Sequence, residues 1–594
     1  MSRLDFEVLR QLLGGTVDDR EEKYGLTWHG KRRARQLAPT PSAGTLRPRQ
    51  EDSVEWDSMQ NLMIEGDNLK VLKLLQKSYA GKVKLIYIDP PYNTGKDFVY
   101  PDDYRDNLAN YHELTRQVDD QCRKLSSNSE ASCRFHTDWL NMMYPRQKVA
   151  KNLLRHDGIV FMSIDDGEEP ALRLVCDEIF GEENFMTCFI WKSRQNKDNR
   201  TVNGASVDHE YVICFGNRIR GDERDRSQYS NPDNDPRGDW ASANMIGIAT
   251  ADRRPNLHYD LVNPRTGISY TCPLMGWRYD KRTMDILINE DRILWPRRLS
   301  GRPRRKAFLS ELESDYTGFS SVIGDGVFTG DGTSDIASFE EKVIDFPKLP
   351  QLIRQLIKQR SWQKSIALHF FTGSGTTWHA AWMKNFMDGG ERRYILIQLP
   401  EPLSTESNEQ KNAGNYCKRI RKPCNIAEHT KERLRRAAAK GKSENPSYAG
   451  DLGFRVFKLD TTNIRAWDPK PDDLEGALLP GLDHIEPSRT GRDIINELLL
   501  KFGLDLCPPI ETKTIAEKSV HPVGAGTLIV CLDDAIFRDD VEPLALGIAD
   551  WYDALAPAGE SSAVFLDSAF AVDISKTNLA ETLKQRGLGN VRSL

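Results

Sequence analysis

The chain has 594 residues, too many for one hydrophobic core, so three or four domains are expected. Charged residues make up 28% and hydrophobic ones 39%, and no apolar run approaches the roughly 20 residues of a membrane span, so a membrane protein is not expected. The net charge of −5 argues against a chain that binds nucleic acid over its whole surface, and the ten scattered cysteines form no C-x-x-C pair, which argues against a zinc site or disulfide framework and fits a reducing cytoplasm.

In chain order, MSRLDFEVLRQLLGG predicts a short amphipathic helix. It lacks the basic start, apolar core and small-residue cleavage site of an export signal. Residues 1–55 read as an N-terminal arm. Three apolar runs follow, VKLIYID (83–89), DGIVFMSID (157–165) and HEYVICFG (209–216), with the helical pattern WLNMMYPRQKVAKNLL before the second. Between about 217 and 335 the periodicity breaks, and Arg, Asp, Asn, Pro and Gly dominate around scattered aromatics such as Tyr259, Tyr270, Trp277 and Trp295. This segment reads as a domain inserted between two halves of a sheet, 56–216 and 336–445. The second half holds SIALHFF (365–371), the helix TTWHAAWMKNF and the strand RRYILIQL (392–399). NPSYAGDLG then reads as a linker, and residues 446–594 as a small α/β domain with DIINELLLKFGL, GTLIVCLDD, SSAVFLDSAF and NLAETLKQRGL. Strands alternating with helices, and apolar along their whole length, predict an α/β fold with a doubly wound, mostly parallel sheet. Basic residues cluster in GKRRAR (30–35), WPRRLSGRPRRK (295–306), CKRIRKPC (417–424) and KERLRRAAAK (431–440), either as a local positive groove or as solvated faces.

Two stretches carry chemistry. YIDPPYNTG (87–95) ends a buried strand with a carboxylate, two prolines and an aromatic. Proline cannot donate to a ladder, so the pair stops the strand and holds Asp89 and Tyr92 on a stiff turn. ALHFFTGSGTTWHAA (367–381) is a strand, a Gly-Ser-Gly turn and a helix, where glycines let a ligand approach the backbone. It has no Gly-Lys-Ser/Thr for a nucleotide phosphate, and Trp378 stands where a dinucleotide fingerprint needs its third glycine. A plain structural turn would look the same by itself. Combined with Glu401 at the tip of the next strand, placed to hold ribose hydroxyls, the turn suits a nucleoside cofactor such as S-adenosylmethionine.

These residues resemble the DNA amino-methyltransferases of the permuted order, with the catalytic motif first. More closely, the chain is similar to the modification (methyltransferase) subunits of type III restriction-modification systems. NLMIEGDNLKVLKLLQKSYAGKVKLIYIDPPYNTGKDFVY, FHTDWLNMMYPR, DGIVFMSIDD, EIFGEENF, DHEYVICF, FFTGSGTT and RRYILIQLPEP occur in the family's order, and GFRVFKLDTTN and AVFLDSAFAVDISKTN match its C-terminal part. The resemblance implies a Rossmann-like fold in which the Asp89 motif and the glycine loop sit at adjacent strand tips. It also implies a target-recognition role for the insert, with Arg297, Arg298, Arg302, Arg304 and Arg305 as DNA contacts. Asp67 falls near the cofactor adenine, Phe371, Gly373 and Gly375 against its methionine part, and Ser374 and Thr376 among the other cofactor-binding residues. Lys348 falls where the family shows Lys-Pro, with the proline displaced to Pro350. A homodimer, double-stranded DNA as substrate and a helicase-nuclease partner are implied as well.

The chemistry implied is adenine-N6 methylation. Asp89 and the Pro90 carbonyl, fixed by Pro91, would accept the two amine N–H groups and free the nitrogen lone pair, while Tyr92 stacks on a flipped-out base. No covalent intermediate is needed, so Cys424 of KPCN is not expected to act, and the histidines have no metal-ligand spacing. Asp165 and Asp166, which end a strand, could touch substrate or a loop, or cap a helix. One departure stands out. The family commonly has Asp two residues before Phe371, where it meets the cofactor ammonium; His369 stands there, so weaker cofactor binding is expected unless Asp89 shares the role. Methylation of cytosine N4 or a protein glutamine, or a DNA-recognition scaffold with decayed transferase activity, are the alternatives.

Overall fold

The computed structural model describes residues 25–93, 131–197, 204–296, 298, 300–331, 348–360, 363–400, 403, 411–464, 485–557 and 559–594. The expected N-terminal helix, Glu401 and Arg297 lie outside the described residues.

Ten strands form the principal sheet: β1 (Gly44–Pro48), β2 (Leu62–Glu65), β3 (Val83–Ile88), β4 (Leu154–Ile164), β5 (Phe185–Trp191), β6 (Glu210–Gly216), β7 (Val322–Ile323), β8 (Ile366–His369), β9 (Arg393–Gln398) and β10 (Arg455–Thr461). Their order is β1-β10-β2-β9-β8-β3-β4-β6-β5-β7. The six strands from β10 to β4 run parallel, whereas β6 is antiparallel to both β4 and β5, and β1 is antiparallel to β10.

Alternation along the parallel strands feeds two cores. Leu62, Ile64, Ile395, Ile397 and Phe457 face a cluster that includes Leu72 and Leu75 of the Asn68–Tyr79 helix, Trp139 and Met143 of Ala131–Leu153, and Leu498 of Gly491–Phe502. Met63, Tyr394, Leu396 and Val456 face a second cluster with Trp378 and Trp382 of Thr376–Asp388 and Leu434 and Ala437 of Ile426–Glu444. Helices on both faces explain why these strands are apolar throughout.

Three segments read outside the sheet lie in it: Val322–Ile323, from the stretch read as the insert, pairs with β5. Gly44–Pro48 pairs with Arg455–Thr461, and the latter with β2. The C-terminal residues also form a five-stranded sheet ending in the parallel strands Leu528–Cys531, Ser562–Phe565 and Asn590–Ser593, with the helices Val541–Leu555 and Asp573–Gln585 packed in its core. Val523, Leu528 and Val530 on its other face join the core beside the Gly491–Phe502 helix. No described helix is long and apolar enough to cross a membrane.

Residues 220–319 form a compact unit of their own. A small core of Met245, Leu261, Trp277, Met284, Leu287 and Ile293 supports a three-stranded antiparallel sheet of Ile293–Leu294, Arg304–Phe308 and Trp240–Ala243. The basic run therefore becomes a strand. Lys306 is buried between Asp235 (2.9 Å) and Asp233 (2.5 Å), while Arg298, Arg302 and Arg304 are exposed and Arg305 is half-buried over the Tyr279 ring. Arg304 donates to Ser242 Oγ (2.7 Å) and its carbonyl (2.8 Å), which holds its guanidinium on the surface.

Candidate active site

The two informative turns leave neighbouring strands. Leu368 of β8 pairs with Ile86 of β3 in parallel register, so both chains exit at the same sheet edge. The partner of β8 on its other side is β9, and that of β3 is β4, so the connections diverge between β8 and β3. Open α/β sheets bind ligands in the crevice at such a point.

The first turn is pinned from several sides. Trp139 Nε1 donates to the Pro91 carbonyl (2.7 Å), and Asn93, at φ 58°, donates from Nδ2 to Glu168 Oε1 (2.6 Å). Tyr92 donates its hydroxyl proton to Glu210 Oε2 (2.7 Å). The Lys348 ammonium contacts both that carboxylate and the Tyr92 hydroxyl, and stands 4.7 Å from the Tyr92 ring centre and 5.2 Å from that of Trp191. Asp89 lies at the strand tip with its side chain 28% exposed; Lys348 Nζ is 3.6 Å from its Oδ1, beyond hydrogen-bond length. That Oδ1 is buried and has no hydrogen-bond partner among the described residues. Burial, aided by the Glu210 charge and opposed by Lys348, pushes the Asp89 carboxyl up to about 6.

The second turn is held from below. Thr372 donates to the carbonyls of His369 (3.1 Å) and Ile397 (2.9 Å), and Gly373 N–H donates to Gln398 Oε1 (2.7 Å). From the Ile426–Glu444 helix, Thr430 Oγ1 donates to the Gly373 carbonyl (2.6 Å) and Arg433 to the Ser374 carbonyl (2.6 Å). Gly373 (φ 53°) and Gly375 (φ 80°) are left-handed. A Cβ on Gly373 would meet nothing within 4 Å, whereas one on Gly375 would stand 2.9 Å from Leu434 Cδ2. Gly375→Ala should therefore destabilise the chain by about 1–2 kcal/mol through the left-handed backbone alone. Urea unfolding, with cofactor titration on the same variant, checks this.

The family described as DNA methylase matches residues 83–247. The chain is 31% identical over 500 residues to the Mod subunit of the type III restriction-modification enzyme EcoP15I of Escherichia coli, covering 76% of this chain and 74% of that one. It is 30% identical over 473 residues to the StyLTI Mod subunit of Salmonella typhimurium, covering 77% and 70%. The chain belongs to the type III Mod family. It is a DNA methyltransferase of the N6/N4 class. A Thermus thermophilus protein solved with S-adenosyl-L-methionine is 12% identical, with a TM-score of 0.28 over 67% of this chain and 99% of its own, too loose a match to carry weight.

In this Mod family member, Asp89, Pro90, Pro91, Tyr92 and Lys348 come together in one cluster at the β3 tip. Gly373, Ser374, Gly375 and Thr376 form the adjoining loop, where Ser374 Oγ and Thr376 Oγ1 share a hydrogen bond of 2.9 Å. Phe371 is buried in the core. Asp67 caps the Asn68–Tyr79 helix, accepting from Lys70 N (2.9 Å) and from Arg146 (3.3 Å). His369 lies at the end of β8. Its side chain is 3% exposed, bonded through Nδ1 to Thr377 Oγ1 (2.7 Å) and edge-on to Tyr87. Burial drives it down to about 3, so the imidazole is neutral and brings no positive charge against an ammonium.

Asp165 at the β4 tip accepts from Gly167 N (3.1 Å) in the loop that follows. Cys424 is half-buried, its thiol directed to the Gly414 carbonyl. No cluster of three or more metal-ligating side chains occurs among the described residues.

Sequence reasoning missed Glu210, Trp191, Glu168, Thr430 and Arg433. Glu210 had a readable signal, a carboxylate opening an apolar strand. Only an antiparallel strand starts at the edge where parallel neighbours end, and β6 is antiparallel to β4.

Proposed function

We propose that the protein transfers a methyl group from S-adenosylmethionine to N6 of an adenine flipped out of duplex DNA at a specific sequence. It acts as the modification and specificity subunit of a type III restriction-modification system. The observation that carries this reading is the buried Asp89 Oδ1 without a donor, beside the glycine loop. The space over left-handed Gly373 suits the donor molecule. When bound, that molecule supplies an electrophilic sulfonium methyl.

Asp89 and the Pro90 carbonyl accept the two N–H bonds of the amine and draw its nitrogen toward tetrahedral geometry. The Lys348 ammonium stands over the Tyr92 ring, and that ring stacks on the base, a contact of about 1–3 kcal/mol. The surplus proton leaves to water. An acceptor role needs ionised Asp89, and its value of about 6 means that methyl transfer falls as pH drops through that point. A pH–rate profile flat down to pH about 5 would remove Asp89 from the reaction.

Asp at position 89, rather than Ser or Asn, favours adenine over cytosine N4. Arg297, Arg298, Arg302, Arg304 and Arg305 contact DNA from the inserted unit. A second copy joins the subunit, one reading sequence while the other methylates, and a helicase-nuclease subunit cleaves unmodified DNA. The assembly works in the cytoplasm, at the nucleoid. Mapping N6-methyladenine across the genome with and without this gene tests the reading. Loss of N4-methylcytosine instead, or of no modified base, overturns it. Calorimetry with S-adenosylmethionine separates the decayed scaffold, which would bind none with or without DNA.

A further inference from the structure

We infer that Glu210 is a positioning residue for methyl transfer: it holds the Lys348 ammonium away from Asp89 and so keeps Asp89 Oδ1 open for the target amine. This rests on the methyl-transfer reading above. The ammonium has two carboxylates in reach and is 9% exposed. It contacts Glu210 Oε2 and the Tyr92 hydroxyl directly, yet stands 3.6 Å from Asp89 Oδ1. The acceptor is left buried with no hydrogen-bond partner among the described residues.

A cation bonded to Asp89 would occupy the lone pair that the amine N–H must find. A cation removed altogether would leave two carboxylates facing each other in a dry site, and the pair could not stay fully ionised. Glu210 avoids both. It also orients the aromatic, because the Tyr92 hydroxyl proton goes to the same Oε2 (2.7 Å). Its own place is fixed by the ladder, where it pairs with Trp191 of β5, whose ring stands 5.2 Å from the ammonium. The groups that face Asp89 are Lys348, Glu210, Tyr92 and Tyr87, and Asp165 adds its charge near Glu210.

The test uses the full chain, with Glu210→Gln, Lys348→Met and the double variant, each followed as methyl transfer against pH. Glu210→Gln should lower kcat about tenfold or more, because the released ammonium bonds Asp89, with little change in KM for S-adenosylmethionine. Its acid limb should move down by about one pH unit, and that of Lys348→Met should move up. The double variant should be faster than Glu210→Gln alone, since the intruding cation is gone. A double variant no faster, or acid limbs that stay put, overturns the inference in favour of a merely structural Glu210.

Crystal structures of the wild type and Glu210→Gln give a readout independent of turnover. In the variant, Lys348 Nζ should lie within hydrogen-bond distance of Asp89 Oδ1; an ammonium that keeps its wild-type place overturns the inference. A wild type that methylates no DNA sinks the methyl-transfer reading, while the crystal comparison still decides where the ammonium goes.

Discussion

Asp89→Asn is expected to cut methyl transfer by on the order of 10³-fold while leaving a more stable protein that still binds DNA. The asparagine keeps the shape of the carboxyl but replaces one acceptor oxygen with a donor, so the amine meets a donor where it needs a lone pair. The gain in stability follows from the same burial that prepares the site. The carboxyl is pushed from 3.8 to about 6, so above that value the folded chain holds a charge it disfavours relative to the unfolded chain. The sign is that of a raised acid: it destabilises the fold at neutral pH, and the penalty fades as pH falls through about 6. Removing the charge should stabilise the protein by about 1–2 kcal/mol at pH 7, after allowance for solvent around a side chain 28% exposed. Methylation assays, DNA binding and urea unfolding on one preparation check all three. Parallel loss of DNA binding and transfer would mark Asp89 as a structural acid.

The largest loss of stability is expected from Lys431→Met, about 3–5 kcal/mol in urea unfolding. Lys431 is 1% exposed and sits 3.0 Å from Glu65 Oε2, 2.5 Å from Glu428 Oε1 and 3.6 Å from Asp52 Oδ2. Burial raises the Glu65 carboxyl, but Lys431 and Lys458 overcome it and hold that group below its usual range. Burial lowers Lys431, and Glu65, Glu428 and Asp52 overcome that in turn. The Glu65 contribution is present above its unfolded value and is lost as pH falls through its depressed folded one. The Lys431 contribution is present below its unfolded value and is lost as pH rises through its raised folded one. Met at 431 leaves Glu428 buried without the cation it pairs with and Glu65 with Lys458 alone, and Glu65→Gln in the same chain should return part of the loss. If the double variant is no more stable than Lys431→Met, the cluster is not an ion pair in energetic terms.

Lys431 also connects stability to the site. Its helix, Ile426–Glu444, carries Thr430 and Arg433, whose donors hold the carbonyls of Gly373 and Ser374. Loosening the buried cluster should therefore weaken cofactor binding along with the fold. The basic run KERLRRAAAK, ambiguous between a DNA-binding groove and a solvated face, is in large part this support: Lys431 and Arg433 are buried and point inward.

The residues of YIDPPYNTG and FFTGSGTT were legible in the sequence because their constraints are local. Two prolines end a strand, and two left-handed glycines make a tight turn, wherever the chain goes next. Apolar runs marked β3, β4, β6, β8 and β9 for the same reason, since burial on both faces is written into consecutive residues. What the sequence left open depends on partners far along the chain. Gly44–Pro48 is short, and Arg455–Thr461 mixes charged with apolar residues; the first is a strand through its pairing with the second, which is itself held between it and β2. His369 occupies a motif position by sequence, but folding buries it against Thr377 and Tyr87, where desolvation keeps it neutral. The tertiary structure alone decided that Glu210, more than a hundred residues after Asp89, shares its edge of the sheet. An antiparallel strand begins where its parallel neighbours end, and that reversal is a property of pairing, which no stretch of sequence contains by itself.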